Sequence, residues 1–452
     1  MDDDQLIVLG LVLLIYASVI GVAVFAARRN RRAPADDIGV MWLVVLALYT
    51  TISPITWLLQ GGTYSILSFS RLFILQPSSV EMIELLQIST AYALAFGMAY
   101  VTFRLRSPIG PMGHHAYISG SKLAGALAVV VAFQAAMLVI SIGGFIRAPE
   151  SYHDTYKVIQ ELPLGLRQGL KVGQGMASVA MLVLLVGVLQ RWPRQRLLFG
   201  MYLLVVLLSF DARGSRMAIA TGLLSAGIGW HVLVRPIPLR WWISSGLLGL
   251  LVFTALGVLR ALESWEEFGT VDFDGAGVGE FDALWANGVE LLQAKEFQQL
   301  DMPLAARFGE LWAFVPSQFL FFEKWSAADW FVETFHPDDQ AIGGGWAFGA
   351  IGQAIIGDGA WEAAIRGGVL GALAAWIMKW YRSPQAKWWA LPMYLYLLTF
   401  VYQSVRDTTF QPLGSVIQIV LPALLLVELL GTLLDFSKNT TRAIASCERS
   451  FT

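Results

Sequence analysis

Arg213 and Arg216 stand three residues apart in "FDARGSRMAIA", between two long apolar runs. On a helical turn that spacing puts both guanidinium groups on one face. Gly214 and Ser215 between them suit a tight helix start, with Ser215 or Asp211 as the N-cap. A helix N-terminus offers unpaired amides to an anion, and arginine grips phosphate through paired hydrogen bonds. The pair therefore reads as a diphosphate cradle. Arg260, Arg307 and Arg406 belong with it: Arg260 and Arg406 close apolar stretches, and Arg307 precedes an aromatic run. For any single arginine the plainer reading is a side chain snorkelling to lipid headgroups. Several of them on one side of the chain's map exceed what lipid anchoring needs.

A transfer onto a hydroxyl needs a base to take the proton, or strong stabilisation of the departing group. His336 in "FHPDDQ", Glu310, and Asp407 beside Arg406 are the candidate bases. Asp338, Asp339, Glu362 and the Glu263, Glu266, Glu267 group lie in the same part of the chain; the last three read as a solvated helical face. Asp272-Phe273-Asp274 imitates a metal-binding pattern but is too short to be specific. His114-His115 has no carboxylate or cysteine neighbours, so no metal site is expected. No cofactor is expected either. The single cysteine, Cys447, excludes an intramolecular disulfide.

These residues must be positioned by a membrane fold. The 452 residues are 56% hydrophobic and 14% charged, with mean hydropathy +0.61, against about 25% charged in soluble domains. A net charge of −2 argues against nucleic acid as a partner. Apolar stretches recur at 5–27, 38–60, 82–103, 121–142, 172–190, 197–210, 216–234, 241–260, 361–380, 388–404 and 412–434. They predict an all-α polytopic protein of about eleven transmembrane helices. "RRNRR", Arg28 to Arg32, ends the first stretch and marks the inner side. The alternation then places the basic segments 104–122, 190–196, 235–240, 379–387 and the tail inside, with the N-terminus outside and the C-terminus inside. Residues 1–260 form the N-terminal spans, 261–360 a long outer loop with short helices, and 361–452 the C-terminal spans and tail. Within that loop "IGGGWAFGAIGQAIIGDG", Ile342 to Gly359, is apolar but short, as in a re-entrant or interfacial segment. The spans read as nearly free of charge, which argues against a transporter with a mid-span site.

Three stretches resemble the Wzy-type polymerases, which join lipid-linked oligosaccharide repeat units of O-antigen, exopolysaccharide or enterobacterial common antigen. "FDARGSRMAIATGLL" is similar to the family's Gly-Ser/Thr-Arg motif at Gly214, Ser215 and Arg216. "RFGELWAFVPSQFLFFEKW" resembles its long-loop motif, beginning at Arg307. "VYQSVRDTTFQPLGSVIQIVLPALL" resembles its late motif, with Arg406 and Asp407, and Arg260 stands where similar proteins end a span with a basic residue. The resemblance covers roughly Phe199 to Leu425; before that only hydropathy agrees. It implies a GT-C-like, metal-independent glycosyltransferase of the bacterial inner membrane. Arg213, Arg216, Arg260, Arg307 and Arg406 would hold the diphosphate, and His336, Asp407 or Glu310 would serve as base. Implied partners are undecaprenyl-diphosphate-linked donor and acceptor, the bilayer, a chain-length regulator and a flippase. An O-antigen ligase-like transferase and a lipid-linked oligosaccharide flippase are the competing readings.

Overall fold

The computed structural model describes residues 3–30, 34–61, 66–68, 73–106, 116–142, 162–208, 216–249, 251, 279–297, 300–312, 315, 326–337 and 348–449. These residues are helical apart from turns and one short antiparallel ribbon, β1 (Ile66–Ser68) against β2 (Phe73–Leu75). Six helices among them are long and apolar enough to cross a membrane. The chain folds into two compact units: Met1–Pro111 with Pro236–Arg382 and Leu398–Gly414, and Met112–Arg235 with Ser383–Leu397 and Ser415–Thr452.

The first unit is built on α1 (Asp3–Asn30), α2 (Ile38–Leu59), α3 (Ser79–Leu105) and a later helix, α14 (Ala360–Tyr381). Local chemistry sets their starts. Asp37 caps α2 by accepting from Gly39 N and Val40 N, which would otherwise be orphaned amides. Ser78 and Glu81 close a reciprocal capping box on α3. Gly359, at φ 60°, makes the reversal before α14 that a side chain would disfavour.

Matched contacts fix the helix directions. Gly97 faces Val22, and Thr90 reaches the Leu11 carbonyl, so α1 and α3 run in parallel. Trp42 stacks on Tyr92 and Phe96 while Gly39 abuts Tyr100, so α2 runs against α3. Gly367 and Gly371 of α14 press on the carbonyls of Tyr92 and Phe96. That makes α14 parallel to α3 at a backbone-to-backbone distance that only small residues allow.

Among the described residues of the long loop, one helix packs into the bundle. This helix, α9 (Gly279–Glu296), buries Trp285, Ala286, Asn287, Val289 and Leu291. Trp285 Nε1 donates to the Tyr49 carbonyl in the middle of α2, and Gln293 Nε2 donates to Glu81 in the first turn of α3. Thus α9 climbs from mid-height of the bundle to its N-terminal α3 end. Short helices follow: α10 (Leu304–Arg307), α11 (Gly309–Trp312) and α12 (Ala327–Phe335). The apolar stretch expected to be re-entrant or interfacial holds α13 (Gly349–Ile356), whose first seven residues are all buried.

The second unit packs α4 (Gly120–Ile142) against α5 (Leu164–Leu189) and α18 (Leu421–Arg449). Gly125 lies against Val427 and Gly431, and Gly187 against Leu123. Lys122 pairs with Glu428 at 3.0 Å, and Trp388 Nε1 donates to the same carboxylate at 2.6 Å. Helix α5 begins eight residues before the apolar stretch read at 172–190, because Pro163 opens it and its first turns carry Arg167, Gln168 and Lys171. Helices α6 (Arg196–Leu208) and α7 (Arg216–Leu233) complete the unit, meeting where Gly222 faces Val206.

Candidate functional site

One buried polar network gathers chemistry from five segments of the first unit. Its centre is Arg366, in the second turn of α14, 6% exposed. Its guanidinium forms ion pairs with Glu310 of α11 and, at 2.7 Å through Nη2, with Glu362 one turn earlier. Nη1 also donates to Gln353 of α13 at 3.3 Å. Glu362 takes a second arginine, Arg307 of α10, at 2.8 Å. Glu310, itself 7% exposed, accepts from the Phe410 amide at 3.0 Å. Gln353 Oε1 accepts from the amide and hydroxyl of Thr409, both at 2.9 Å.

Two arginines and two glutamates balance one another, which is what makes charge at this depth tolerable. The balance is electrical and leaves hydrogen bonds unmade. Gln353 Nε2, Thr408 Oγ1 and Arg307 Nε are buried without a partner, whereas the Tyr92 hydroxyl meets Thr409. Such groups each carry a desolvation cost, and ordered water or a hydroxyl-bearing ligand would relieve it. The network is therefore a buried polar cluster whose acceptors are held by arginines and some of whose donors lack partners.

A cleft of 530 Å³ opens beside it, lined by Glu84 and Gln87 of α3, Lys295 of α9 and the Asp358–Ala360 turn. Lys295 fixes that turn by donating to the carbonyls of Ile355 and Gly357. Glu362 fixes it from the other side by accepting from the Asp358 amide at 3.4 Å.

The expected site residues divide. Arg307 and Glu310 lie in this network, along with Glu362. Arg406 ends α16 (Val401–Arg406) and Asp407 caps it, both half-buried and engaged within the fold, two residues before Thr409. His336 stands apart as the C-cap of α12. It is 4% exposed and its Nε2 lies 3.0 Å from Glu290 of α9, the more exposed partner. That makes a carboxylate–imidazole pair of the kind that orients a base. Arg216 is the first residue of α7, so a helix starts where the sequence places one, and it belongs to the second unit; its side chain lies outside the described residues. Arg213, Arg260, Asp338, Asp339, Asp272, Asp274, His114, His115 and the Glu263 group also lie outside them.

Sequence reading passed over Arg366, Gln353, Glu290 and Tyr92. Arg366 carried a usable signal: an arginine inside the apolar stretch 361–380 is a functional candidate by its cost alone. The others gave none, since a glutamine, a glutamate and a tyrosine acquire meaning only from what folds against them. Comparison of the chain with protein-family models, with curated proteins and with solved structures finds no match.

Proposed function

We propose that the chain is a membrane glycosyltransferase that polymerises oligosaccharide repeat units carried on undecaprenyl diphosphate. The observation that carries the reading is the meeting of two motif stretches. The long-loop stretch with Arg307 and Glu310 and the late stretch with Arg406 to Phe410 lie a hundred residues apart, yet Glu310 accepts from the Phe410 amide. Both close around Arg366 on α14. In this reading the acceptor hydroxyl attacks the anomeric carbon of the donor and undecaprenyl diphosphate leaves. Arg307 and Arg406 then meet the developing phosphate charge, and Arg213, Arg216 and Arg260 are assigned to it by the resemblance alone. His336, paired with Glu290, or Asp407 takes the proton; Glu310 is committed to Arg366 and the Phe410 amide and serves to position them.

The topology supports the same reading. Parallel α3 and α14 require an odd number of crossings between them, and the map of about eleven spans supplies five. With "RRNRR" inside, the Arg366 network and the cleft lie toward the outer face of a bacterial inner membrane, where lipid-linked repeat units are polymerised, in a GT-C-like helical scaffold.

A flippase is the second reading, because Arg366 is a buried charge within an apolar helix. The test separates the two. The purified chain in lipid vesicles is given a lipid-diphosphate-linked repeat unit, and products are resolved on a gel. A ladder that is lost in Arg216→Ala and in Arg406→Ala is expected. Transfer to a different acceptor lipid instead would mean a ligase. Movement of intact lipid across the bilayer with no covalent product would mean a flippase.

A further inference from the structure

Helix α13 reaches the turn after α16 with two residues four apart, Gly349 and Gln353, which share a face. At Gly349 a Cβ would lie 3.0 Å from the Val405 carbonyl, so the backbone of α13 runs against the last turn of α16. Gln353, 4% exposed, reaches further along the chain. Its Oε1 accepts from the Thr409 amide and the Thr409 hydroxyl, both at 2.9 Å, and from Arg366 Nη1 at 3.3 Å.

Three donors on one oxygen decide how the amide points. Turned over, its NH2 group would meet the same three donors with donors of its own. The orientation is therefore fixed, and Nε2 is the atom left buried without a partner. That atom carries the cost of the arrangement, and what it secures is the Thr409 end of the turn. A second anchor lies one residue on, where Glu310 accepts from the Phe410 amide at 3.0 Å. Both anchors meet on Arg366 Nη1. They differ in charge. Glu310 belongs to the balance of ion pairs, so its loss upsets the whole cluster. Gln353 is neutral, and its loss leaves every ion pair in place. Together they hold the backbone directly after Arg406 and Asp407, whose own amide at Asp407 is spent on the Gln403 carbonyl at 2.9 Å.

We infer that Gln353 is a positioning residue: it latches the turn from Arg406 to Phe410 onto Arg366 and so fixes where Arg406 and Asp407 stand. The latch is a property of the fold. Its effect on turnover rests on the proposed glycosyl transfer, in which Arg406 meets phosphate and Asp407 is a candidate base.

The test uses the whole chain in nanodiscs and reads two things separately. One is amide hydrogen exchange of the peptide covering residues 401–415. The other is chain extension from a lipid-diphosphate-linked repeat unit. In Gln353→Leu the Thr409 and Phe410 amides should exchange roughly tenfold faster, the factor that one lost hydrogen bond corresponds to, while α3 keeps its protection. Over the same change kcat should fall roughly ten- to a hundredfold with KM little altered, because misplaced groups cost the transition state more than binding. Gln353→Glu keeps the accepting oxygen and drops the unpartnered NH2; it should restore slow exchange and most of kcat. Unchanged exchange at Thr409 and Phe410 in Gln353→Leu, or faster exchange throughout the bundle, would overturn the latch. Faster local exchange with unaltered turnover would overturn the positioning role. Faster local exchange in a chain whose wild type makes no polymer would uphold the latch and count against the polymerase reading alone. Thr409→Val, which removes one donor and keeps the amide, gives the same readout at smaller size if Gln353→Leu fails to fold.

Discussion

Both buried charge clusters of the first unit hang on α14, one from its second turn and one from its C-cap, and they are built in opposite ways. The Arg366 cluster draws on α10, α11, α13, α14 and the turn after α16, and its two arginines meet two glutamates. The Arg104–Arg382 cluster draws on residues at helix ends: Arg382 lies 3.6 Å from the buried Asp36, and Asn30 accepts from both arginines. The first is neutral in charge but short of hydrogen bonds on its hydroxyl and amide groups; the second leaves guanidinium nitrogens of Arg104 and Arg382 without one.

The largest effect should come from the neutral cluster. Arg366→Met strands the buried Glu310 carboxylate, while Glu362 keeps Arg307, and should cost about 3–5 kcal/mol, read as a collapsed melting midpoint in detergent. Replacing Glu310 by Gln in that background should restore much of it, because Glu362 and Arg307 still balance one another. A double-mutant series showing no rescue would break the idea that charge balance holds this cluster together. Next is the seam beneath it. Gly371→Ala drives a methyl into the Phe96 carbonyl and should cost about 1–3 kcal/mol; the same change at Gly10, which has open space around it, should be nearly silent.

A third change sharpens the functional side. Glu290→Gln should leave the midpoint within about 1 kcal/mol, as its partner keeps a hydrogen bond, while lowering the rate of chain extension and moving its pH profile. An unaltered profile would remove His336 from consideration as the base and leave Asp407.

The smallest effect belongs to the Arg104–Arg382 cluster. Burial holds the Asp37 carboxyl above the usual carboxylate range. Its folded form therefore keeps a proton that the unfolded chain has already released. Stability from this group is present below the unfolded value and is lost as pH rises through the folded one. Asp37→Asn retains an acceptor for the α2 cap and should change the midpoint little, but the fall over that pH window should flatten. A fall of unchanged slope would place the titration elsewhere.

What was legible in the sequence follows from where the information sits. Spans α1 to α3 and the start of α7 at Arg216 are written in local hydropathy and caps, and they appear close to where the residues place them. The interior helix α13 was recognisable as apolar and too short to span, and it forms a buried helix of 8 residues. The docking of α9 into the bundle could not, because its apolar residues alternate with Glu290, Gln293 and Lys295, whose partners come from α12, α3 and α13. The site divides the same way. Glu310 and Arg307 stood out by residue type, whereas the residue that joins them, Arg366, was hidden inside an apolar run and is defined by Glu310, Gln353 and Thr409 from other segments as well as by Glu362 one turn away.

The bond from the Phe410 amide to Glu310 has a consequence for how the protein is made. Synthesis runs from the N-terminus, so Glu310 and Gln353 emerge long before Thr409 and Phe410, the residues that satisfy them. Until that point Arg366 is the one described side chain that both Glu310 and Gln353 close against. The turn after α16 thus completes the network late. A polypeptide released early, with every preceding span inserted, would still be open at its polar heart and a ready target for membrane proteolysis.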